Sequence, residues 1–238
     1  MTDLFNGSNG SNGSNSSNGS NGSNSSNDSN GVSPSSFTVC VFCGASPGTS
    51  KDYMAAAELV ASLFHKNSWN LVYGGGTIGL MGAVARTLVS LSGPDSVHGI
   101  IPRALVRFEQ NGSVPPTSEY GKTTLVQDMH ARKALMGKMS NAFIALPGGF
   151  GTMEELFEIV TWNQLGIHDC PIVVLNVGGF YDGLLGWVRS AIKEGFIGDD
   201  MEGIVVEAKT VEELEDAIRR YKPAKGRFNL NWENEGKD

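Results

Sequence analysis

Seven short apolar runs punctuate residues 37–206, and longer stretches with helical spacing separate most of them. The runs are Phe37–Cys43, Asn70–Tyr73, His98–Ile101, Thr123–Val126, Ala142–Leu146, Ile172–Asn176 and Gly203–Val206. Helical spacing covers about Lys51–Lys66, Gly79–Leu91, Met129–Ser140, the stretch after Gly151, Tyr181–Glu194 and Val211–Tyr221. Residues 103–121, with Pro115-Pro116, read as a longer loop. Short, continuously apolar strands alternating with helices predict a parallel sheet covered on both faces. The expected fold is a single-domain, Rossmann-like, doubly wound α/β sheet. Ligands of such sheets sit at the carboxyl ends of the strands. Four polar or Gly-rich turns fall at those ends: Gly44–Ser46, Gly74–Gly79, Asp128–Lys133 and Gly148–Glu155.

Composition sets the limits of that domain. Asn6 to Gly31 is Asn, Ser and Gly except for Asp28. Such a segment buries too little apolar area to offset its ordering entropy, so residues 1–36 are expected to be disordered. The domain then spans 37–222, and the polar end, 223–238, is expected to be loose. The net charge is −7, and the two acids of the tail leave −5 on the rest. That balance argues against a nucleic-acid polymer as partner. No apolar run approaches the ~18 residues of a membrane span, and no signal core opens the chain. With three cysteines, a reducing, cytoplasmic setting is expected. Cys40 and Cys43 form a lone CxxC. It reads as core thiols, because Cys40 lies in an apolar strand and no second ligand pair exists. No metal and no cofactor are expected.

The stretch Pro147-Gly148-Gly149-Phe150-Gly151-Thr152-Met153-Glu154-Glu155 carries the most chemistry. It turns from a buried strand into a helix. Its glycines let backbone amides face a ligand, and the helix start adds free donors and a positive dipole end. Together these predict an anion seat, most simply for a phosphate, with Glu154 and Glu155 in the first helical turn. Thr152 and Glu155 also have the spacing of a capping box, which would do nothing but satisfy helix-end donors.

Two further turns share the rim. Gly74-Gly75-Gly76-Thr77-Ile78-Gly79 satisfies GxGxxG, but no acidic residue follows the next strand where a dinucleotide ribose would need one. Close packing and a pocket wall, with Gly75 beside Gly44 and Ser46, fit it better. Met129-His130-Ala131-Arg132-Lys133 places two bases near a helix start, against the dipole, which calls for an anionic partner. Arg132 offers a bidentate fork for phosphate or carboxylate.

These motifs occur in one order: Val72-Tyr73-Gly74-Gly75-Gly76, Gly79-Leu80-Met81-Gly82, Met129-His130-x-Arg132-Lys133, Pro147-Gly148-Gly149-x-Gly151-Thr152-x-x-Glu155 and Thr161-Trp162-x-Gln164-Leu165-Gly166-Ile167-His168. In this the chain resembles the LONELY GUY family of cytokinin-activating enzymes, 5′-monophosphate phosphoribohydrolases sometimes labelled lysine decarboxylases. The resemblance covers about residues 37–222. It implies hydrolysis of an adenine-type riboside 5′-monophosphate to free base and ribose 5-phosphate, with Arg132 and Glu155 as the catalytic pair. It implies a substrate site of Glu109, Lys133, Gly148, Gly149, Phe150, Gly151, Thr152, Met153, Glu154 and Thr161; the rim turns themselves suggest Gly44, Ser46, Gly75 and Met129 as further wall. It also implies a homodimer. The charge-poor Gly79–Leu91 helix, flanked by Trp162 and Trp187, is a candidate face for it. Competing readings are a nucleotide-binding regulatory module without turnover and a pyridoxal-phosphate-dependent decarboxylase. For the latter, Lys133 and Lys138 are the only lysines near the rim.

Overall fold

The computed structural model describes residues 37–109, 112–228 and 230. The expected disorder of 1–36 and the outermost part of the polar end, 231–238, lie outside the described residues. Seven strands form one sheet: β1 Thr38–Phe42, β2 Asn70–Tyr73, β3 Val97–Pro102, β4 Lys122–Val126, β5 Ala142–Ala145, β6 Ile172–Leu175 and β7 Val205–Ala208. Their order is β4-β3-β2-β1-β5-β6-β7, and every pairing is parallel. Eight helices accompany them among the described residues: α1 Lys51–Asn67, α2 Gly79–Ser92, α3 Arg103–Glu109, α4 Thr117–Tyr120, α5 Met129–Lys138, α6 Phe150–Gln164, α7 Asp182–Lys193 and α8 Val211–Arg220.

The strand alternation divides the core in two. Val39 and Val41 of β1 face α1, α2 and α8, while Cys40 and Phe42 face α5, α6 and α7. Both sets are fully or almost fully buried, which is why β1 reads as unbroken apolar sequence. Each such aliphatic side chain contributes about 1.5–3 kcal/mol relative to exposure. Cys40 and Cys43 lie in opposite core layers, so their CxxC spacing brings no thiol pair together.

Strand β1 is the switch point. It pairs β2 on one side and β5 on the other, Val39 lying beside both Leu71 and Ala142. The chain leaves β1 and β5 toward opposite layers, so a crevice opens above their carboxyl ends. Gly44 stitches its rim. Its N–H donates to Pro147 O at 3.0 Å, and its carbonyl accepts from Leu80 N at 3.1 Å and Met81 N at 3.3 Å.

The chain departs from the sequence expectations in four places. Residues 103–121 are not one loop: Pro116 caps the short helix α4, whose Tyr120 is buried and accepts from Arg86 Nη1 through its hydroxyl at 3.0 Å. Strand β7 starts two residues later than expected, because Asp199–Ile204 winds as a 3-10 turn. The polar end is tied down through Phe228. Arg227 Nε donates to Asn163 O at 2.8 Å and Phe228 N to Gln164 O at 2.7 Å. Finally, Trp162 and Trp187 do not flank α2. Leu80, Val84, Leu88 and Val89 are buried within the chain, and the helix lies across the sheet from α6 and α7, which carry Trp162 and Trp187. No helix among the described residues is long and apolar enough to cross a membrane.

Candidate active site

Helix α6 begins at Phe150 with Gly149 as N-cap, and no side chain caps it. Thr152 is therefore the third helical residue, not the cap, and Glu155 does not reach back to it. The capping-box alternative is thereby corrected, and both glutamates lie in the second turn rather than the first. Thr152 is buried, and a Cβ at Gly148 would fall on its hydroxyl. Gly149 and Gly151 differ. Neither has a left-handed φ, and a Cβ at either would meet nothing within 4 Å. Glycine inside a helix costs about 0.5–1 kcal/mol relative to alanine. At Gly151 neither backbone nor packing asks for it. What the two glycines leave is open space around the first amides of α6, which have no acceptor within the helix.

Opposite stands α5. Asp128 caps it, its carboxylate accepting from Ala131 N at 2.8 Å. One turn later Arg132 Nη2 donates to Glu155 Oε1 at 2.6 Å, and both side chains are buried. Arg132 Nη1 faces only the Met129 thioether at 3.8 Å, and its buried Nε has no partner. Two donor positions of a buried guanidinium thus lack an oxygen acceptor. Burial pushes the Glu155 carboxyl above its usual range, against the opposing pull of Arg132. The neighbouring Lys133 takes the next stripe of α6. Its Nζ pairs with Glu154 and, at 2.5 Å, with Glu158. Burial alone would lower the Lys133 pKa, but the two carboxylates outweigh it and the net shift is upward. The anion that two bases near a helix start called for is thus supplied first by α6 itself.

The Gly-rich turn after β2 is filled by the chain. Gly75, at φ 77°, backs onto Ile101, so it is not the pocket wall expected from the sequence. A Cβ at Gly74 would fall on Arg132 Nη2, and one at Gly79 on the Ala45 carbonyl carbon. The turn serves close packing, as the sequence suggested. Beside it Ser46, Tyr53, Leu80, Gly148, Gly149 and Phe180 enclose an open cavity of about 200 Å³, with Gly44 at its base.

The remaining expected residues divide. Met129 touches the cluster through its sulfur. Phe150 stands 97% exposed at the start of α6. The Met153 side chain packs on the core beneath α6, so only its backbone borders the rim. Thr161 is not brought to the pair. Its hydroxyl donates to Phe157 O at 2.7 Å, two turns beyond Glu154, beside an apolar groove. Glu109 ends α3, and its side chain lies outside the described residues. Sequence reasoning missed Glu158, although its i, i+4 spacing from Glu154 could have revealed it. It also missed the contribution of Gly74 to the Arg132 seat.

Fold and site together define a Rossmann-like α/β protein with a buried arginine–carboxylate pair beside an open helix start, at the switch point of the sheet. A family model described as "Possible lysine decarboxylase" matches residues 81–218, and the chain belongs to this family, the LONELY GUY or LOG proteins. It is 45% identical over 199 residues to the cytokinin riboside 5′-monophosphate phosphoribohydrolase LOG3 of Arabidopsis thaliana, covering 83% of this chain and 89% of that protein. It is 46% identical over 185 residues to LOG5 of the same plant, covering 78% of each. A bifunctional cytokinin biosynthesis protein of Fusarium pseudograminearum is 43% identical over 210 residues, which is 84% of this chain but 43% of that longer protein. Among solved structures, the molybdenum cofactor carrier protein of Chlamydomonas reinhardtii superposes with a TM-score of 0.58 at 17% identity, covering 78% of this chain and 98% of that one. The molybdenum cofactor binding protein of Rippkaea orientalis gives 0.57 at 20% identity, covering 77% and 96%. At those identities the likeness is one of fold.

Proposed function

We propose that the protein hydrolyses the N-glycosidic bond of adenine-type riboside 5′-monophosphates, releasing the free base and ribose 5-phosphate. For cytokinin ribotides this release is direct hormone activation. The observation that carries the reading is the buried Arg132–Glu155 pair one turn beyond the open glycines Gly149 and Gly151. A phosphate on the first amides of α6 is held by free donors and the helix dipole. Four residues of helix, Gly151 to Glu155, rise about 6 Å. That rise is similar to the reach from the phosphorus of a ribose 5-phosphate to its C1′. The phosphate seat thus sets the anomeric carbon near Glu155.

The chemistry follows from charge. As the bond from C1′ to the base nitrogen breaks, its electron pair leaves with the base and positive charge builds on the sugar. The base takes a proton, and water supplies hydroxide to C1′. A carboxylate beside C1′ stabilises the charge and orients the water. Arg132 holds Glu155 through Nη2 and offers Nη1, whose one partner is a thioether, to substrate oxygens. Lys133 sits between Glu154 and Glu158, close enough to the rim to serve an anionic substrate. Gly148, Thr152 and the amides of Phe150 and Gly151 shape the seat, the Met153 amide being taken by Gly149 O at 3.1 Å, and Gly44 and Ser46 wall its far side. Glu109 and Thr161 belong to the substrate site by family resemblance.

The test is incubation with AMP, isopentenyl-AMP and adenosine, followed by chromatography. Both nucleotides should yield free base, and adenosine should yield far less. Equal release from AMP and adenosine would show that the glycine turn does something else. A decarboxylase would need a free amine for a Schiff base. Lys133 is instead held as an ammonium by two carboxylates, and Lys138 is exposed at the end of α5. A regulatory binder would gain nothing from a carboxylate buried beside an anion seat.

The protein is further proposed to be a cytoplasmic homodimer. Three unpaired thiols suit a reducing compartment. Phe157, Trp187 and Phe196 are 36%, 53% and 86% exposed along one apolar groove between α6 and α7, a surface that suits a second copy of the chain. Light scattering should then give about twice the 25.3 kDa chain mass, and Phe196→Glu should shift it toward the monomer.

A further inference from the structure

We propose that Gly74 is a positioning residue: its bare Cα forms the wall against which the Arg132 guanidinium rests while it holds Glu155. This rests on the reading of Arg132 and Glu155 as the reacting pair. Three elements meet here. Gly74 follows β2, Arg132 lies on α5 and Glu155 on α6. The backbone of Gly74 does not require glycine, since its φ is outside the left-handed region. Packing does. A Cβ would fall on Arg132 Nη2 and lie 3.3 Å from its Cζ and 3.2 Å from Met81 Sδ. The first obstacle is thus the far end of a flexible side chain, not backbone. A methyl group at position 74 is accommodated by pushing the guanidinium aside.

The guanidinium has little else to hold it. Its one bond to an oxygen runs to Glu155 at 2.6 Å, Nη1 has a thioether and Nε has nothing. Its placement therefore depends on shape, and Gly74 supplies part of the shape. Neighbouring Gly76 gives a control. A Cβ there would meet Met81 Cε at 2.7 Å and no atom of Arg132 among its nearest contacts.

Gly74→Ala should fold, melt with the wild type and lose activity. A misplacement of about 1 Å at a reacting pair costs about 10²-fold in rate. A purely structural role would leave the titration of Glu155 alone; the seat would not. Glu155 is faced by Arg132 and Lys133 from α5, by Glu154 and Glu158 on its own helix, and by the Cys40 and Cys43 thiols at β1. Of the two bases, Arg132 lowers its pKa more, so moving Arg132 off raises it.

The experiment follows the ¹³C carboxyl signal of Glu155, assigned by its loss in Glu155→Gln, through a pH titration of wild type, Gly74→Ala and Gly76→Ala. Rates of AMP hydrolysis are measured in parallel, also with Gly74→Ala placed on Arg132→Ala. The expected result is an upward titration shift and a loss of kcat in Gly74→Ala, with Gly76→Ala close to wild type. Gly74→Ala should add little once Arg132 is gone. An unchanged titration, a full second loss on the Arg132→Ala background, or a Gly74→Ala chain that fails to fold would overturn the proposal. If the titration shifts but the wild type cleaves no nucleotide, the seat stands and the hydrolase reading fails.

Discussion

Arg132 Nη2 and Glu155 Oε1 lie 2.6 Å apart, yet the residues are 23 positions apart and sit on different helices. Arg132 closes the first turn of α5, after β4, and Glu155 lies in the second turn of α6, after β5, each helix starting at the carboxyl end of its strand. The sheet order puts β4 at an edge and β5 at the centre, so α5 must cross back over the sheet. That crossing delivers a cation to a carboxylate that burial would otherwise neutralise. A pair of this kind is weak evidence for stability, because desolvating both charges offsets much of their attraction. Its position at the mouth of a crevice points to chemistry.

The pH dependence of activity tests the state of that carboxylate. Burial holds the Glu155 pKa above its ordinary range, the pull of Arg132 included. If the ionised form is the working one, kcat/KM falls as pH drops through that raised value. The acid limb should therefore lie above the ~4.3 of a free glutamate. Stability has the opposite slope. The native state keeps the proton to higher pH than the unfolded chain does, so stability falls as pH rises from the unfolded pKa through the folded one. Melting temperatures across that window should decline in the wild type relative to Glu155→Gln.

The sheet was legible because each strand is buried on both faces and so reads as a short unbroken apolar run. The rim was legible for the same reason, since four of these runs end in a polar or glycine-rich turn. Direction was not. Thr152 and Glu155 have capping spacing, and only the actual helix start at Phe150 separates the two uses of that glutamate. Gly75 and Thr161 sit in the right motifs with their contacts elsewhere, Gly75 against Ile101 and Thr161 beside the apolar groove. Motif position says nothing about which way a residue points. The Lys133–Glu158 pair joins two helices: the i, i+4 spacing of Glu154 and Glu158 marks an acidic stripe on α6, but nothing local marks the lysine that meets it. Helix α4 was hidden by Pro115-Pro116, a dipeptide that reads as loop although its second proline suits a helix start.

Gly151→Ala separates a ligand seat from a packing glycine. The methyl group meets nothing of the chain within 4 Å, and alanine is the better helix former by about 1 kcal/mol. The variant should melt no lower than the wild type. Its methyl occupies the space beside the free amides of α6, so KM for AMP should rise. Thermal melts and steady-state kinetics on one preparation check both halves. Unchanged KM with raised stability would place the phosphate elsewhere.

Removing residues 1–35 should leave the domain intact. The described chain begins at Phe37, whose carbonyl accepts from Asn70 N at 2.9 Å and whose ring lies 5.2 Å from that of Trp69. A protein starting at Ser36 keeps both contacts. The tail itself is Asn, Ser and Gly over most of its length and has little apolar surface to bury. Melting temperature and AMP turnover should match the full chain. A loss in either would make the tail part of the working domain.

The two members of the buried pair should fail differently when replaced. Arg132→Ala leaves the Glu155 carboxyl buried without its cation, a defect typically worth about 3–5 kcal/mol. The variant should melt lower, bind AMP more weakly and turn over slowly, since the guanidinium also offers Nη1 to substrate. Glu155→Gln keeps the size of the side chain and an oxygen to accept from Arg132 Nη2. It loses the negative charge that meets the developing cation on the ribose. Removing a charge stabiliser or general base typically lowers the rate by about 10²–10⁴-fold. AMP affinity should stay the same or tighten, because a carboxylate near a phosphate is repulsive in the ground state. Glu154→Gln, which breaks only one of the two contacts of Lys133, should be milder. Calorimetric binding of AMP and chromatographic release of adenine from the same Glu155→Gln sample decide the matter. Normal binding with almost no adenine places the carboxylate in the transition state. Full activity would mean that Glu155 serves only to partner Arg132, and the nucleophilic water would have to be oriented by another group on the rim.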